Sequence, residues 1–300
     1  MLNKFGYINF GYVKTTKQED IQARYLKNQQ NKTVIIIGAG ASGVVAARQL
    51  ISLGIKVILL EAKNRIGGRV QSVNVKENCT IDLGAFISTG VDGNPVRLLC
   101  RQKNVEVSYL VMDDCPLYDA QGRIGKEIEK QAENQFNKLL DTLLDSKKDR
   151  ILPWTSDLSL ESVLDEQKAK CIHPPQNEQQ RKQFKSAVEW HTMNFTCEYG
   201  TSLKNISFRH WDEEEELELQ PGNNFVISEG FPAVIDDLLN ELVPLTDNNN
   251  EPLLRVCFNN VANSISYFNP QRVSVVCNNG NEYFGDAVLV TVSLGILKHR

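Results

Sequence analysis

The chain has 300 residues, 41% of them hydrophobic and 23% charged, with a formal net charge of −4. That length supports two or more substructures with sizeable cores, the composition is that of a globular protein, and the charge argues against binding a polyanion by bulk electrostatics. Seven cysteines, none spaced as C-x-x-C, argue against a structural zinc site and a disulfide scaffold and favour a reducing compartment; neither a metal site nor a direct nucleic-acid site is expected.

Residues 1–31 combine a short apolar piece with a polar stretch, read as a linker with some helical tendency. No signal peptide is recognisable, and no apolar run reaches the roughly 18–20 residues of a membrane span. Residues 33–37, TVIII, form a β-branched run suited to a central parallel strand. Residues 42–53 fit a helix whose small residues face a sheet, stopped by Gly54, and 55–61, IKVILLE, is the next strand. Together they make one βαβ unit. Helices are predicted over 93–107, 127–145, 177–197 and 230–242, the second with Phe136, Leu139, Leu140, Leu143 and Leu144 close to a 3.6-residue period. Pro153 breaks that pattern, and a charge run, WDEEEELEL, fills 211–219. After a loop at 246–252 the last fifty residues read as short strands, LLRVCF, SISYF, RVSVVC and AVLVTV, separated by Asn/Gly turns. The expected fold is α/β, a sheet-containing cofactor domain interrupted by a mostly helical insert.

The chemistry begins at Gly38-Ala39-Gly40-Ala41-Ser42-Gly43, a G-x-G-x-x-G between a predicted strand and a predicted helix. The first glycine of such a unit makes the tight turn, the second admits a pyrophosphate close to the backbone, and the third lets the helix pack on the sheet. The helix N-terminus offers free N–H groups and partial positive charge to a diphosphate. Glu61 ends the second strand, where a carboxylate can accept from ribose hydroxyls. Arg65-Ile66-Gly67-Gly68-Arg69 follows closely, two adjacent glycines allowing an unusual backbone path and Arg69 able to pair with a diphosphate. Asp82-Leu83-Gly84-Ala85 is another glycine-dependent approach.

These segments, VIIIGAGASG, LLEAKNRIGGRV and IDLGAFISTG, resemble the flavin amine oxidase family, which includes monoamine oxidases, polyamine oxidases and lysine-specific histone demethylases. The closer likeness is to the demethylases. It extends through Cys115-Pro116-Leu117-Tyr118, Phe136-Asn137-Lys138-Leu139-Leu140, Trp190-His191-Thr192-Met193-Asn194 and His210-Trp211-Asp212 to the strand near DAVLVTVSLGIL. Residues 2–11 resemble the end of a SWIRM domain.

The resemblance implies a glutathione-reductase-type Rossmann domain binding FAD over 32–112 and 222–300, the second part incomplete. A mostly helical substrate domain spans 113–221, and a SWIRM-like remnant with linker spans 1–31. Gly38, Gly40, Ser42, Gly43 and Gly68 would take the cofactor, Glu61 its ribose, and Lys63 and Arg69 its diphosphate. Ala85, Phe86 and Ile87 would line the flavin, the Val261 backbone its adenine side, and Thr291 would contact the cofactor. Thr89, His191 and Asn194 would face the substrate, and Glu129, Glu133, Cys197, Glu198, Asp212, Glu214 and Glu215 would form its rim. An acidic rim steers a cationic peptide, so the implied substrate is a histone H3 tail or another basic amine. Hydride would leave the carbon beside the amine nitrogen for the flavin, the cofactor carrying the hard chemistry. A nuclear location and a chromatin complex are implied by resemblance alone.

Three departures qualify the expectation. The family's catalytic lysine has no counterpart before Arg300, so the chain reads as a fragment or truncated product. Only a modest stretch, about 162–189, stands where one demethylase branch inserts a helical tower for a corepressor. Glu198 is a carboxylate where the demethylases place a small residue, which keeps polyamine oxidation as the rival reaction. A non-catalytic remnant that binds FAD or chromatin proteins is the third reading.

Overall fold

A computed structural model of the chain describes residues 32–76, 79–110, 115–149, 157–212, 222–269 and 272–299. The chain divides into two compact units, Met1–Val111 with Gln220–Arg300, and Met112–Leu219. The first unit opens with β1 (Thr33–Ile37), α1 (Ala41–Ser52), β2 (Lys56–Leu60), a hairpin of β3 (Ser72–Lys76) and β4 (Cys79–Asp82), α2 (Pro95–Lys103) and β5 (Val107–Tyr109). The second unit contains β6 (Tyr118–Asp119), β7 (Gly122–Arg123), α3 (Lys126–Asp149), α4 (Leu160–Cys171) and α5 (Glu178–Tyr199). The first then resumes with β8 (Phe225–Ile227), α6 (Pro232–Leu242), β9 (Leu254–Cys257), β10 (Ala262–Ser266), β11 (Val273–Cys277), β12 (Glu282–Gly285), β13 (Ala287–Val290) and α7 (Leu294–Lys298).

The first unit is layered. Four parallel strands pair in the order β13-β1-β2-β9. Because strand side chains alternate between faces, Ile36, Val57 and Leu59 join a core with Val44, Ala47 and Ile51 of α1 and Leu238 and Leu242 of α6. Ile35, Ile37 and Leu60 point the other way and pack with Val275, Cys277 and Tyr283 of the antiparallel sheet β10-β11-β12. A strand buried on both faces needs the uninterrupted apolar run that TVIII supplies.

The second unit is built on one apolar stripe. Ile128, Ala132, Phe136, Leu139 and Leu143 recur every three or four residues along α3 and are buried. They cluster with Leu160, Val163 and Leu164 of α4, Phe184, Ala187 and Val188 of α5, and Phe208 and Trp211 beyond it. Ser159 caps α4 by accepting from the Ser162 N–H, and Asn177 caps α5 by accepting from Gln180.

Several elements differ from the sequence expectation. The helix predicted over 93–107 ends at Lys103, because Asn104 adopts a left-handed conformation (φ 55°), freeing 107–109 to pair with β8. The β3–β4 hairpin and β12 were not anticipated; the side chains of β3 are almost all exposed, so no strong apolar alternation marks it. The stretch at about 162–189 holds most of α4, which was not predicted, and the first half of α5, whose helix was expected over 177–197. The expectations for 1–31, Pro153 and most of the acidic run lie outside the described residues. Among the described residues no helix is long and apolar enough to cross a membrane.

Candidate functional site

In the first unit the chain turns sharply where β1 ends. Gly38 has φ 105°, a conformation that disfavours any side chain. The next residue, Ala39, donates its N–H to Glu61 Oε2 at 2.8 Å, while Glu61 Oε1 accepts from the Lys63 N–H at 2.9 Å. Glu61 is 7% exposed, and its carboxylate braces the glycine turn against the end of β2. Gly43 brings α1 against that turn: a Cβ there would lie 1.9 Å from the Gly38 carbonyl oxygen.

The N-terminus of α1 is open. Gly40 occupies its N-cap with no side-chain capping bond and no acidic residue in the first turn, whereas Asn94 caps α2 by accepting from Val96 and Arg97. Ser42 sits in that first turn. A second glycine pair closes beside it. Gly67 (φ 93°) donates its N–H to Ala39 O at 2.9 Å and forms a parallel bridge with Gly40, and Gly68 has φ 60°. The Arg65 guanidinium ties this turn by donating to Ile66 O and Gly68 O, both at 2.9 Å. Lys63 and Arg69 are exposed on either side of it.

The segment after β4 runs along this turn. A Cβ on Gly84 would lie 1.9 Å from Arg69 O, and Leu83 N–H donates to Gln71 O at 2.7 Å. Beyond it Ala85, Phe86, Ile87 and Thr89 are exposed, Phe86 by 51%, while Ser88 is held by two backbone hydrogen bonds to Phe225. Thr291, just after β13, donates its hydroxyl to Ile37 O and Gly38 O at 3.0 Å. Its closest described contacts therefore hold the glycine turn. Val261 is exposed between β9 and β10, its carbonyl accepting from the Asn278 N–H at 2.9 Å.

This arrangement fits the diphosphate and ribose of a nucleotide cofactor. An uncapped helix N-terminus faces no competing anion in its own first turn, glycines line the approach, and a fixed carboxylate with lone pairs to spare stands at the end of the adjacent strand.

In the second unit the candidate substrate residues lie on the last two turns of α5. His191, Asn194 and Glu198 are three and four residues apart, which places them on one stripe. His191 stacks on Phe136, with ring centroids 5.2 Å apart, and Trp190 meets its ring edge-on. Burial lowers its pKa below the ordinary imidazole value, opposed by the Glu133 carboxylate. Asn194, Cys197, Glu198 and Glu133 are exposed. The other rim residues are committed elsewhere. Glu129 accepts the Leu117 N–H at 2.6 Å, and Asp212 pairs with Lys147. Glu214 and Glu215 lie outside the described residues. A separate cavity of about 580 Å³ between α4 and α5 is lined by residues including Lys168, Phe184, Val188 and Met193 and contains none of the predicted site residues.

Sequence reasoning named Arg65 and Asp82 only as members of glycine motifs, without a role of their own, and passed over Asn260. Asp82 accepts from Ser72 Oγ and from the Phe231 N–H, tying the β3–β4 hairpin to the start of α6. Asn260 gathers four side-chain hydrogen bonds. An isolated asparagine in a turn-rich stretch carries no pattern that would single it out.

The family model of flavin containing amine oxidoreductases matches residues 41–300, and the chain belongs to that family. Within it the chain is 30% identical to lysine-specific histone demethylase 1 homolog 1 of Arabidopsis thaliana over 303 aligned positions, covering 99% of this chain and 33% of that protein. It is 32% identical to human lysine-specific histone demethylase 2 over 277 positions, 91% of this chain and 31% of that protein. With mouse lysine-specific histone demethylase 1B it shares 30% identity over 302 positions, 99% of this chain and 34% of that protein. The chain thus spans about a third of the length of the curated relatives it matches.

Proposed function

We propose that residues 32–112 and 222–300 form an FAD-binding Rossmann-type domain and residues 113–221 a substrate domain, serving oxidation of an amine C–N bond with histone N-methyl-lysine as substrate. The observation that carries this reading is the buried Glu61 carboxylate locking Ala39 of the glycine turn beside an uncapped helix N-terminus. A bound FAD supplies the two-electron oxidation of the carbon beside the amine nitrogen.

The chain's own residues bind and orient. The N–H groups at the start of α1 and the glycines at 38, 40, 43 and 68 receive the diphosphate, with Lys63 and Arg69 beside it. Glu61 keeps lone pairs for ribose hydroxyls. Ala85, Phe86 and Ile87 would offer an exposed, largely apolar surface to the isoalloxazine, and Thr291 holds the Gly38 turn. On the substrate side, burial keeps His191 neutral at pH 7, so it does not repel a cationic amine. Glu133 and Glu198 supply negative charge at the surface, and Asn194 supplies a hydrogen-bonding group. The demethylase names of the relatives support a histone tail as substrate, and with it a nuclear, chromatin-bound setting.

A polyamine is the second reading, favoured by one observation: Glu198 is an exposed carboxylate one turn along α5 from Asn194, suited to a slender polycation. The test is to load the purified chain with FAD, remove the excess, and record the visible flavin bands. Methyl-lysine H3 peptide or spermine is then added without oxygen. Retained bands that bleach with the peptide support the first reading, bleaching with spermine alone supports the second, and a folded chain that retains no flavin overturns both.

A further inference from the structure

The loop between β9 and β10 contains Asn260, one of two buried asparagines among the described residues of this unit. Asn260 is 7% exposed. Its Oδ1 accepts from Asn279 Nδ2 at 3.0 Å, Asn281 Nδ2 at 3.1 Å and Tyr283 Oη at 3.0 Å. Its Nδ2 donates to Phe258 O at 2.7 Å. Its backbone N–H donates to Glu61 O at 2.9 Å, the preceding Asn259 N–H donates to Lys63 O at 3.0 Å, and the Asn278 N–H donates to Val261 O at 2.9 Å. The side chain therefore ties the β9–β10 loop to the β11–β12 turn, while the loop's own main-chain N–H groups tie it to the end of β2.

The chemistry calls for an amide. Three donors converge on Oδ1 while Nδ2 feeds a carbonyl. Aspartate would lose the donation to Phe258 and bring a charge into a buried site. Alanine would take the Asn260 acceptor away from the hydroxyl of Tyr283, a residue only 7% exposed. Asn279 and Asn281 are exposed and can turn to water. Tyr283 is also covered on its other flank, with the Arg255 guanidinium 5.5 Å from its ring centre.

We propose that Asn260 is a positioning residue for the adenosine end of the cofactor: by pinning the β9–β10 loop to the β11–β12 turn it fixes where that loop meets the Glu61 main chain and presents the Val261 backbone, and so favours a dinucleotide flavin over a mononucleotide one. This rests on the FAD reading above. Asn260 acts through the loop that its side chain anchors, whose main-chain N–H groups hold Glu61 O and Lys63 O.

The test uses the full chain and three probes: FAD, ADP as the adenosine half, and FMN as the flavin half. Asn260→Ala weakens FAD and ADP binding by a common factor of about tenfold, the size of one well-placed hydrogen bond, and leaves FMN binding unchanged. Tyr283→Phe, which removes one of the three donors and keeps the packing, gives a smaller loss in the same pattern. If Asn260→Ala does not fold, Asn279→Ala and Asn281→Ala, both at exposed positions, must show the ADP-selective loss. Unchanged ADP binding in the folded variants, or an equal loss for FMN, overturns the proposal. A wild-type chain that binds neither FAD nor ADP instead removes the FAD reading on which it stands.

Discussion

The glycine turn around Glu61 and the exposed stripe of α5 are both candidate binding surfaces, yet they are built in opposite ways. In the first, main-chain groups set the geometry: Ala39 N–H donates to the buried Glu61 carboxylate, Gly67 N–H donates to Ala39 O, and Gly43 has no room for a methyl group. In the second, only His191 is packed, on Phe136, while Asn194, Cys197 and Glu198 stand exposed on a helix whose fold does not depend on them. A site made from backbone can be broken by one carbon atom, whereas a site made from exposed side chains can be rewritten without touching the fold.

The strongest test of that contrast lies within the turn itself. Gly43→Ala puts a Cβ 1.9 Å from the Gly38 carbonyl oxygen. The backbone fixes the Cβ position and the oxygen is itself main chain, so no rotamer relieves the clash and α1 must move off the sheet. We expect a loss of roughly 3 kcal/mol in a urea unfolding curve, the upper range for overpacking. Gly40→Ala, three residues earlier, should behave differently. Its φ of −74° suits any residue, and the added Cβ meets nothing closer than Gly67 O at 3.9 Å. Its stability should stay within about 0.5 kcal/mol of wild type, while FAD affinity falls at least about tenfold because the methyl occupies the diphosphate approach. Wild-type FAD affinity in Gly40→Ala would show that the open helix end is not the binding surface.

Glu61→Gln sharpens the same comparison by changing one atom. Both carboxylate oxygens accept backbone N–H groups, and an amide would aim its NH₂ at one of those donors. A loss of about 2 kcal/mol is expected, the scale of a charge-assisted hydrogen bond in a buried site. Glu198→Gln, at an exposed position, should leave the unfolding midpoint unchanged and alter only the KM for a cationic amine. Comparable destabilisation by the two substitutions would erase the distinction between the regions.

The contrast also explains what the sequence could reveal. The glycine turn was legible because its constraints are local: φ 105° at Gly38 and the close approach at Gly43 exclude other residues, so the motif and the geometry coincide. TVIII and the period of α3 were legible for a similar reason, since burial on two faces or along one stripe writes itself into residue order. Asn260 was not, because its importance comes from Asn279, Asn281 and Tyr283, which reach it only after β11 and β12 pair. Nor was the pairing of Asp212 with Lys147, which turns an expected rim carboxylate into one side of an ion pair between distant positions. Glu61 was legible as an acid at a strand end, but its grip on Ala39 was not.

The smallest expected effect concerns the one packed residue of the α5 stripe. In the unfolded chain His191 takes up a proton near its ordinary pKa of 6.5, whereas burial in the folded chain holds that pKa lower. Between the two values the unfolded state binds more protons, so stability is full above 6.5 and declines as pH falls toward the folded value. All three tryptophans lie in the unit Met112–Leu219, so their fluorescence reports unfolding of this unit in particular. The wild-type urea midpoint followed this way should drop between about pH 7.5 and about pH 5.5, and His191→Phe, which preserves the stack on Phe136, should remove His191's share of that drop. Glu133→Gln withdraws the charge that opposes the shift and should enlarge the drop. An identical acid loss in wild type and His191→Phe would mean that His191 is as solvated as its exposed neighbours, and the packed exception on the stripe would disappear.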